Sequence, residues 1–320
     1  MPGGCGGAPG GGLAEPPAPG EIRPLNSSTD VPLGGRPTAL ILSGGASLAA
    51  WQGGALYALE RRGIPFQAVL GTSAGSLNGA AYLQGDTELL KKLWTDIPRE
   101  KLMRFSPRLS PPSLFSMDAV RRALGELLSE ERCRARRRCW FYAVSVDIRN
   151  GGTVQAQYSP EPDGPWDSPF LDHVLGSIAV PFVFPPVEVQ GARPDAPRRL
   201  LVDGHLTSFA FLDTLVERGA RDFLFLNVVG GRGPRRTPMG LKRYANALIT
   251  EAMQSQLVNS VEVLRRHRRS EEFRAYEFHP SEPLNMSVFG FKKAECRWAF
   301  DLGLQDAEAC LKDLPTRRIL

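Results

Sequence analysis

The segment "ILSGGASLAAWQGGALYAL" (residues 41–59) passes from a short apolar run into a glycine- and serine-rich turn, and then into an alanine-rich, helix-like stretch. A second corner of the same kind follows in "VLGTSAGSLNGAAY" (residues 69–82). Two strand–turn–helix corners in succession predict parallel strands connected by helices. Because ligands bind beyond the carboxyl ends of parallel strands, we expect the two corners to meet over one site.

The alternation of strands and helices continues along the rest of the chain. Apolar strands that alternate with amphipathic helices predict an α/β fold whose mostly parallel sheet is covered on both faces. Further strands are predicted at 139–148, 198–204, 222–229 and 273–278. Helices are predicted at 47–62, 74–83, 117–127, 170–179, 211–218, 249–264 and 295–311.

Composition gives the domain boundaries and the expected compartment. Glycine and proline dominate the first residues, so we expect a disordered tail at 1–36 and one domain at 37–315. No secretory signal and no membrane-spanning run is visible. The five cysteines include no CxxC pair, which supports neither a zinc site nor a disulfide framework. A reduced, cytoplasmic location is the expectation.

The net charge of +5 is modest, but the arginines cluster. They lie in "RCRARRRC" (132–139), "GRGPRR" (231–236) and "RRHRR" (265–269). Such runs are compatible with nucleic acid, with an anionic membrane surface, or with solvated helix ends and loops. We expect peripheral contact with an anionic membrane and no nucleic acid, since nucleic-acid binding would leave the two corners unexplained.

The second corner contains a G-x-S-x-G sequence centred on Ser73. In a nucleophile elbow, the serine occupies a sharp strand-to-helix turn, and flanking glycines such as Gly71 and Gly75 avoid collisions around it. The helix that follows directs the positive end of its dipole at the serine, which favours an oxyanion there. These features predict a nucleophilic serine.

The first corner and a third segment offer the other groups that an acyl-transfer serine needs. Gly44 and Gly45 allow close approach of a ligand, and the amides of Gly45 and Ala46 lie at a helix start, so this loop is the candidate oxyanion hole. Asp203 directly follows the apolar residues of a predicted strand in "LLVDGH", so we expect it on the same edge of the sheet as Ser73. A partly desolvated aspartate can take the serine proton directly. His279 would complete a Ser–Asp–His order as an alternative triad.

Four blocks together resemble the patatin-like phospholipase family: "LSGGASLAAWQGGAL", "GTSAGSLNGA", "SIAVPFVFPPVEVQG" and "LVDGH". The resemblance covers about 38–230. It implies a three-layer α/β/α fold and a catalytic dyad without histidine, with Ser73 as nucleophile and Asp203 as base. It places Gly44, Gly45 and Ala46 in the oxyanion loop. It also implies hydrolysis of acyl esters of phospholipids, lysophospholipids or neutral glycerides, with no cofactor and no metal.

The chain departs from the family pattern in and near the oxyanion loop. Where the family usually reads Gly-Gly-Gly-x-Arg/Lys-Gly, the third glycine is Ala46, the basic residue is Leu48 and the last glycine is Ala49. His205 replaces a small residue after Asp-Gly. A left-handed backbone at Ala46 would cost about 1–2 kcal/mol. A catalytically weak or inactive lipid-binding pseudoenzyme is therefore the alternative to a serine hydrolase.

Overall fold

The structure is a computed structural model. It describes residues 33, 35–97, 102–190, 197–206, 212–229, 251, 255, 257–267 and 273–320. The predicted tail lies outside the described residues except near its end, where Leu33 is fully buried and its carbonyl accepts a hydrogen bond from Thr38 Oγ1 (3.1 Å). Ordered packing therefore begins at least as early as Leu33.

Ten strands and eight helices are described. The strands are β1 Thr38–Leu42, β2 Ala68–Thr72, β3 Phe105–Leu109, β4 Pro112–Phe115, β5 Trp140–Asp147, β6 Thr153–Tyr158, β7 Val187–Val189, β8 Arg199–Asp203, β9 Asp222–Leu226 and β10 Arg274–Phe278. The α-helices are α1 Ala49–Arg61, α2 Ala74–Gln84, α3 Thr87–Thr95, α4 Met117–Gly125, α5 Glu130–Arg136, α6 Phe170–Ser177, α7 Leu212–Glu217 and α8 Lys293–Lys312. A further helical segment is described at 257–267.

The main sheet has the strand order β10-β9-β1-β2-β5-β8-β7, and β6 also pairs with β5. The pairs from β10 to β5 are parallel, whereas β6 and β8 run antiparallel to β5, and β7 runs antiparallel to β8. The predicted mostly parallel sheet is confirmed. The antiparallel strands form its far end.

Strand β5 holds two strands end to end along one edge. It pairs with β2 through residues up to Val144 and with β8 from Ser145 onward. Because β6 occupies the opposite edge of β5 over the same residues, β2 and β8 lie on the same side. They run toward each other, so that their carboxyl ends meet. This places the residue after β2 against the last residue of β8.

Alternating side chains of the strands enter two separate cores. In β1, Leu40 and Leu42 join the larger core under α1, α2, α3, α6 and α8, while Ala39 and Ile41 face the smaller core with α7 and the 257–267 segment. Both faces of the sheet are thus covered, and the expected three-layer α/β/α fold is confirmed.

Helices α1 and α8 cross at close range. A β-carbon on Gly54 would lie 1.8 Å from the carbonyl oxygen of Phe300, and one on Gly303 would lie 1.9 Å from that of Trp51. The Trp51 indole donates to Asp306 Oδ2 (2.7 Å). Helix α8 therefore packs directly against α1, the helix that follows the first corner.

Several elements were not predicted from the sequence. The two-stranded hairpin β3–β4 exposes nearly all its residues, and α5 buries only Cys133. Neither carries the apolar periodicity on which the prediction relied. The predicted helix at 249–264 lies partly outside the described residues.

Candidate active site

Ser73 occupies the turn between β2 and α2 in a strained conformation, with φ 54° and ψ −130°. A β-carbon on Gly75 would lie 2.2 Å from the carbonyl oxygen of Leu42, and one on Gly71 would lie 2.7 Å from that of Gly75. Both glycines thus allow backbone contacts that any side chain would prevent. Strain of this kind costs about 1–3 kcal/mol and is concentrated at functional sites.

Asp203 lies against the hydroxyl of Ser73. The Ser73 hydroxyl donates to Asp203 Oδ2 (2.5 Å), and the His205 amide donates to Oδ1 (2.8 Å). Burial raises the pKa of the Asp203 carboxyl to about 6, although both hydrogen bonds act to lower it. The carboxylate is therefore oriented toward the hydroxyl, and its affinity for a proton is greater than that of an ordinary aspartate.

Ser177 fixes the elbow from the other side, a role that sequence reasoning missed. Its hydroxyl accepts a hydrogen bond from the Ser73 amide (3.0 Å) and donates to the carbonyl oxygen of Val144 (2.5 Å). The Ser73 amide is thus already used within the protein. The only signal in the sequence was the position of Ser177 at the start of the block "SIAVPF".

The loop at 44–46 carries free donors beside this pair. Within the described part of the chain, the amides of Gly44, Gly45 and Ala46 donate to no protein acceptor. The turn that follows is tied down, since the Ser47 amide and hydroxyl donate to the carbonyls of Val288 (2.9 Å) and Ser287 (2.7 Å). Ala46 has φ 47°, the left-handed conformation that glycine adopts without strain.

His205 packs against the same loop. A β-carbon on Gly44 would lie 2.1 Å from His205 Cε1 and 2.7 Å from Ser73 Cβ. Burial lowers the pKa of the His205 imidazole to about 4, so the ring is neutral at physiological pH. Its Nδ1 is 3.7 Å from Asp203 Oδ1, and its Nε2 has no hydrogen-bond partner among the described residues. The ring fills space without forming a triad.

An apolar pocket opens at Ser73. Its empty space, including the part open to solvent, is about 620 Å³. Ser73 is the only hydroxyl-bearing residue among its described lining residues, and none of them is charged. The walls come from several elements and include Trp94 of α3, Val120 of α4 and Phe289.

Two sequence-based candidates lie outside this arrangement. The Nδ1 atom of His279 is 3.0 Å from the carbonyl oxygen of Pro280, and no described hydrogen bond links it to Ser73 or Asp203. Leu48 is buried in the larger core and does not line the pocket. Within the described ranges, no three His, Cys, Asp or Glu side chains converge to hold a metal ion.

Three arginines of the first run contact other side chains of the protein. Arg134 pairs with Glu130 (3.2 Å), and Arg134 and Arg137 lie over the Trp166 ring. Arg138 pairs with Glu60 and lies over the Tyr82 ring. The run at 231–236 lies outside the described residues, as do Arg268 and Arg269 of the third.

The sequence profile of the patatin-like phospholipase family matches residues 40–216, more than half of the chain. The chain belongs to this family. The match contains Ser73, Asp203 and the loop at 44–46. The resemblance inferred from the four sequence blocks is thereby confirmed.

Individual relatives of this patatin-like chain are distant. Uncharacterised NTE family proteins of Mycobacterium bovis and Mycobacterium tuberculosis are each 27% identical over 194 residues, which are 59% of this chain and 46% of theirs. The chain thus matches about half the length of these curated relatives. A crystal structure of VipD from Legionella pneumophila aligns with a TM-score of 0.40 at 12% identity, over 88% of this chain and 67% of that one.

None of the described helices of this patatin-like chain is long and apolar enough to span a lipid bilayer.

Proposed function

We propose that this chain is a serine lipid acyl hydrolase that uses Ser73 and Asp203 as a dyad. The observation that supports this most directly is the 2.5 Å contact between the Ser73 hydroxyl and Asp203 Oδ2, at a strained strand-to-helix turn. The substrates are acyl esters of phospholipids, lysophospholipids or neutral glycerides. We place the reaction in a reducing, cytoplasmic setting at a membrane surface.

The reaction has two stages. Ser73 Oγ attacks the ester carbonyl carbon while its proton passes to Asp203 Oδ2, and the oxyanion accepts hydrogen bonds from the free amides of Gly44, Gly45 and Ala46. The carbon–oxygen bond to the alcohol breaks, and the alcohol leaves with the proton held by Asp203. Water then attacks the acyl-serine and gives its proton to Asp203. The fatty acid leaves as Ser73 takes that proton back.

The environment of Asp203 suits it to act as a base near neutral pH. A pKa of about 6 leaves the carboxylate mostly ionised at pH 7, while its proton affinity exceeds that of an exposed aspartate. We therefore expect kcat/KM to fall as pH decreases through about 6, because protonated Asp203 cannot accept the Ser73 proton. A neutral His205 is not expected to contribute a second acid limb in this range.

The pocket favours the acyl group as the part of the substrate that is held. An uncharged lining stabilises a hydrocarbon chain and offers no partner for a phosphate. We accordingly expect weak discrimination between phospholipids and neutral glycerides. This expectation rests on the described pocket residues.

The alternative is a lipid-binding pseudoenzyme, which the strain at Ala46 and the ring of His205 over Gly44 favour. Labelling by a fluorophosphonate probe separates the two. We expect rapid labelling of the full chain, no labelling of Ser73→Ala, and at least a 100-fold slower reaction in Asp203→Asn. His279→Ala is the matched control and should react normally. A folded parent protein that neither labels nor hydrolyses p-nitrophenyl esters would refute the proposal.

A further inference from the structure

Large apolar side chains are concentrated on the hairpin β3–β4. Phe105, Leu109 and Leu114 are 68%, 97% and 49% exposed, and Phe182, 70% exposed, lies beside them. The Leu114 amide donates to the carbonyl oxygen of Phe182 (3.0 Å), which joins that loop to the hairpin. These four residues, the hairpin patch, are four of the seven large apolar residues that are exposed in the described chain. Such clustering marks an interaction surface.

Phe182 is both exposed and strained. Its φ of 66° lies in the left-handed region, which is unfavourable for a bulky residue. An asparagine or glycine would adopt this conformation at lower cost, and solvent would accept it better. Stability in water therefore does not explain a phenylalanine at this position, whereas contact with an apolar medium does.

The hairpin patch adjoins the pocket at Ser73. Leu102 and Met103, directly before β3, line the pocket. Phe184 also lines it, and its ring lies 6.2 Å from that of Phe115 in β4. A surface that contacts the hairpin would therefore lie next to the cavity in which the acyl chain is proposed to bind.

The charges on the hairpin match an anionic surface. Arg104 and Arg108 are exposed, and the segment "LMRFSPRLSPPSLFS" (102–116) contains no acidic residue. By contrast, the 132–138 run lies at the far end of α2 from Ser73, where Ser129 N donates to Gln84 Oε1 (2.7 Å). Helix α2 has eleven residues and so separates the two by about 16 Å. The hairpin combines cationic and apolar groups beside the site.

We propose that the β3–β4 hairpin with Phe182 docks this protein on a phospholipid bilayer that carries anionic headgroups. Leu109 and Phe182 enter the apolar boundary, and Arg104 and Arg108 contact the headgroups. The contact holds the pocket at Ser73 next to the bilayer. We further infer that substrate lipids enter the pocket from the bilayer at this contact, which rests on the proposed function. The docking itself does not depend on the proposed function.

Binding to vesicles tests the docking independently of catalysis. The full chain carrying Ser73→Ala is mixed with vesicles of phosphatidylcholine and phosphatidylglycerol in equal parts, and co-sedimentation gives the partition coefficient. Leu109→Ser with Phe182→Asn should lower it by about tenfold or more. Val258→Ser, which removes an exposed apolar residue from the 257–267 helical segment, is the matched control and should bind like the parent.

The charges are tested on the same vesicles. Arg104→Gln with Arg108→Gln should weaken binding to the mixed vesicles and leave binding to pure phosphatidylcholine unchanged. Arg132→Gln with Arg136→Gln, at the far end of α2, should have little effect. A greater loss of vesicle binding in Arg132→Gln with Arg136→Gln than in Arg104→Gln with Arg108→Gln would overturn the docking site. So would unchanged vesicle binding by Leu109→Ser with Phe182→Asn, including a case in which that variant instead loses self-association in sedimentation velocity.

Activity then separates this inference from the proposed function. With Ser73 intact, Leu109→Ser should hydrolyse a soluble p-nitrophenyl ester at the parental rate and vesicle phospholipid more slowly. Equal loss on both substrates would contradict a docking role. If the parent hydrolyses neither substrate, the proposed function fails, while the vesicle-binding comparison still decides the docking.

Discussion

At the residue scale, the buried position of Asp203 affects the stability of the fold. Its side chain is removed from water beside Ser73, and burial raises the pKa of the carboxyl to about 6 from an ordinary 3.8. A carboxyl whose pKa is higher in the folded state stabilises the fold when protonated. That contribution is complete below about pH 4 and is lost as pH rises through 6. At neutral pH the ionised carboxylate therefore opposes folding.

We expect Asp203→Asn to be more stable than the parent at pH 8, by about 1–3 kcal/mol. The amide keeps both contacts, because its oxygen can accept from the His205 amide and its nitrogen can donate to Ser73 Oγ. Urea unfolding at pH 8 and at pH 4.5 measures the difference, which should shrink at the lower pH. A variant that is less stable than the parent at pH 8 would show that the carboxylate is not destabilising.

Ala46 offers a second prediction at this scale. Its left-handed φ of 47° should cost about 1–2 kcal/mol relative to glycine, offset in part by the greater chain entropy of glycine when unfolded. We expect Ala46→Gly to raise the free energy of unfolding by about 0.5–1 kcal/mol. The shift is measured by thermal or urea denaturation. Ala80→Gly, in the interior of helix α2, is the control and should be destabilising.

These residues show what the sequence could and could not predict about the site. Ser73, Asp203 and the 44–46 loop could be selected because each follows an apolar strand in a glycine-flanked turn. Ser177 and the pocket residues could not be selected, since an ordinary serine and scattered apolar side chains carry no local signal. The neutral state of His205 depends on burial, which only the folded chain establishes.

At the element scale, the crossing of α1 and α8 depends on glycine. Gly303→Ala would place a β-carbon 1.9 Å from the carbonyl oxygen of Trp51, and backbone on both helices would have to move. We expect a loss of about 3 kcal/mol or more in stability. The measurement is chemical denaturation monitored by circular dichroism.

Gly125→Ala is the matched control for that substitution. Gly125 lies in α4, and its nearest neighbour to an added β-carbon is Leu171 Cδ2 at 3.6 Å. Because alanine favours helix, this variant should equal or exceed the parent in stability. Similar losses in the two variants would show that the close crossing is unimportant.

Among the elements, those with buried, periodic apolar residues were predicted and those without were not. The strands around Ser73 and helix α8 were identified from their patterns. The direction of β8 was not predicted: Asp203 was expected near Ser73 because carboxyl ends of parallel strands share an edge. It reaches that position on an antiparallel strand, since β5 extends beyond β2 and brings β8 back toward it. Periodicity contains no information on strand direction.

At the scale of the whole molecule, the family-matched region is not a complete folding unit. Strand β1 pairs with β9, which lies beyond residue 216, and α1 packs on α8. The last residues also pair with the sheet, since Ile319 N donates to the carbonyl oxygen of Ala275 (2.8 Å). The C-terminal part is thus required to cover the core and to complete the pocket through Phe289.

We therefore expect a chain that ends at residue 292 to lose cooperative folding, because Ala299, Phe300 and Ala307 of α8 are fully or almost fully buried. Thermal melting and near-UV circular dichroism test this. Deletion of residues 1–32, the larger part of the predicted tail, is the matched truncation and should leave the melting temperature unchanged. A well-folded chain ending at 292 would contradict the assigned packing.

Because β2 and β8 both pair with β5, the register of these two pairings determines the distance between the two residues of the proposed dyad. Strands β2 and β8 do not pair with each other, so the distance between Ser73 and Asp203 depends on the residues of β5 with which each strand pairs. The register of a strand pair changes only in whole residues, each about 3.3 Å along the strand. A shift of one residue also turns the side chain to the opposite face of the sheet. Insertions or deletions in β5 between Val144 and Ser145 would therefore separate the pair completely. The spacing of Ser73 and Asp203 therefore cannot change by small amounts through substitutions. The surrounding loops and the side chains that line the pocket are the parts of the site that can change gradually.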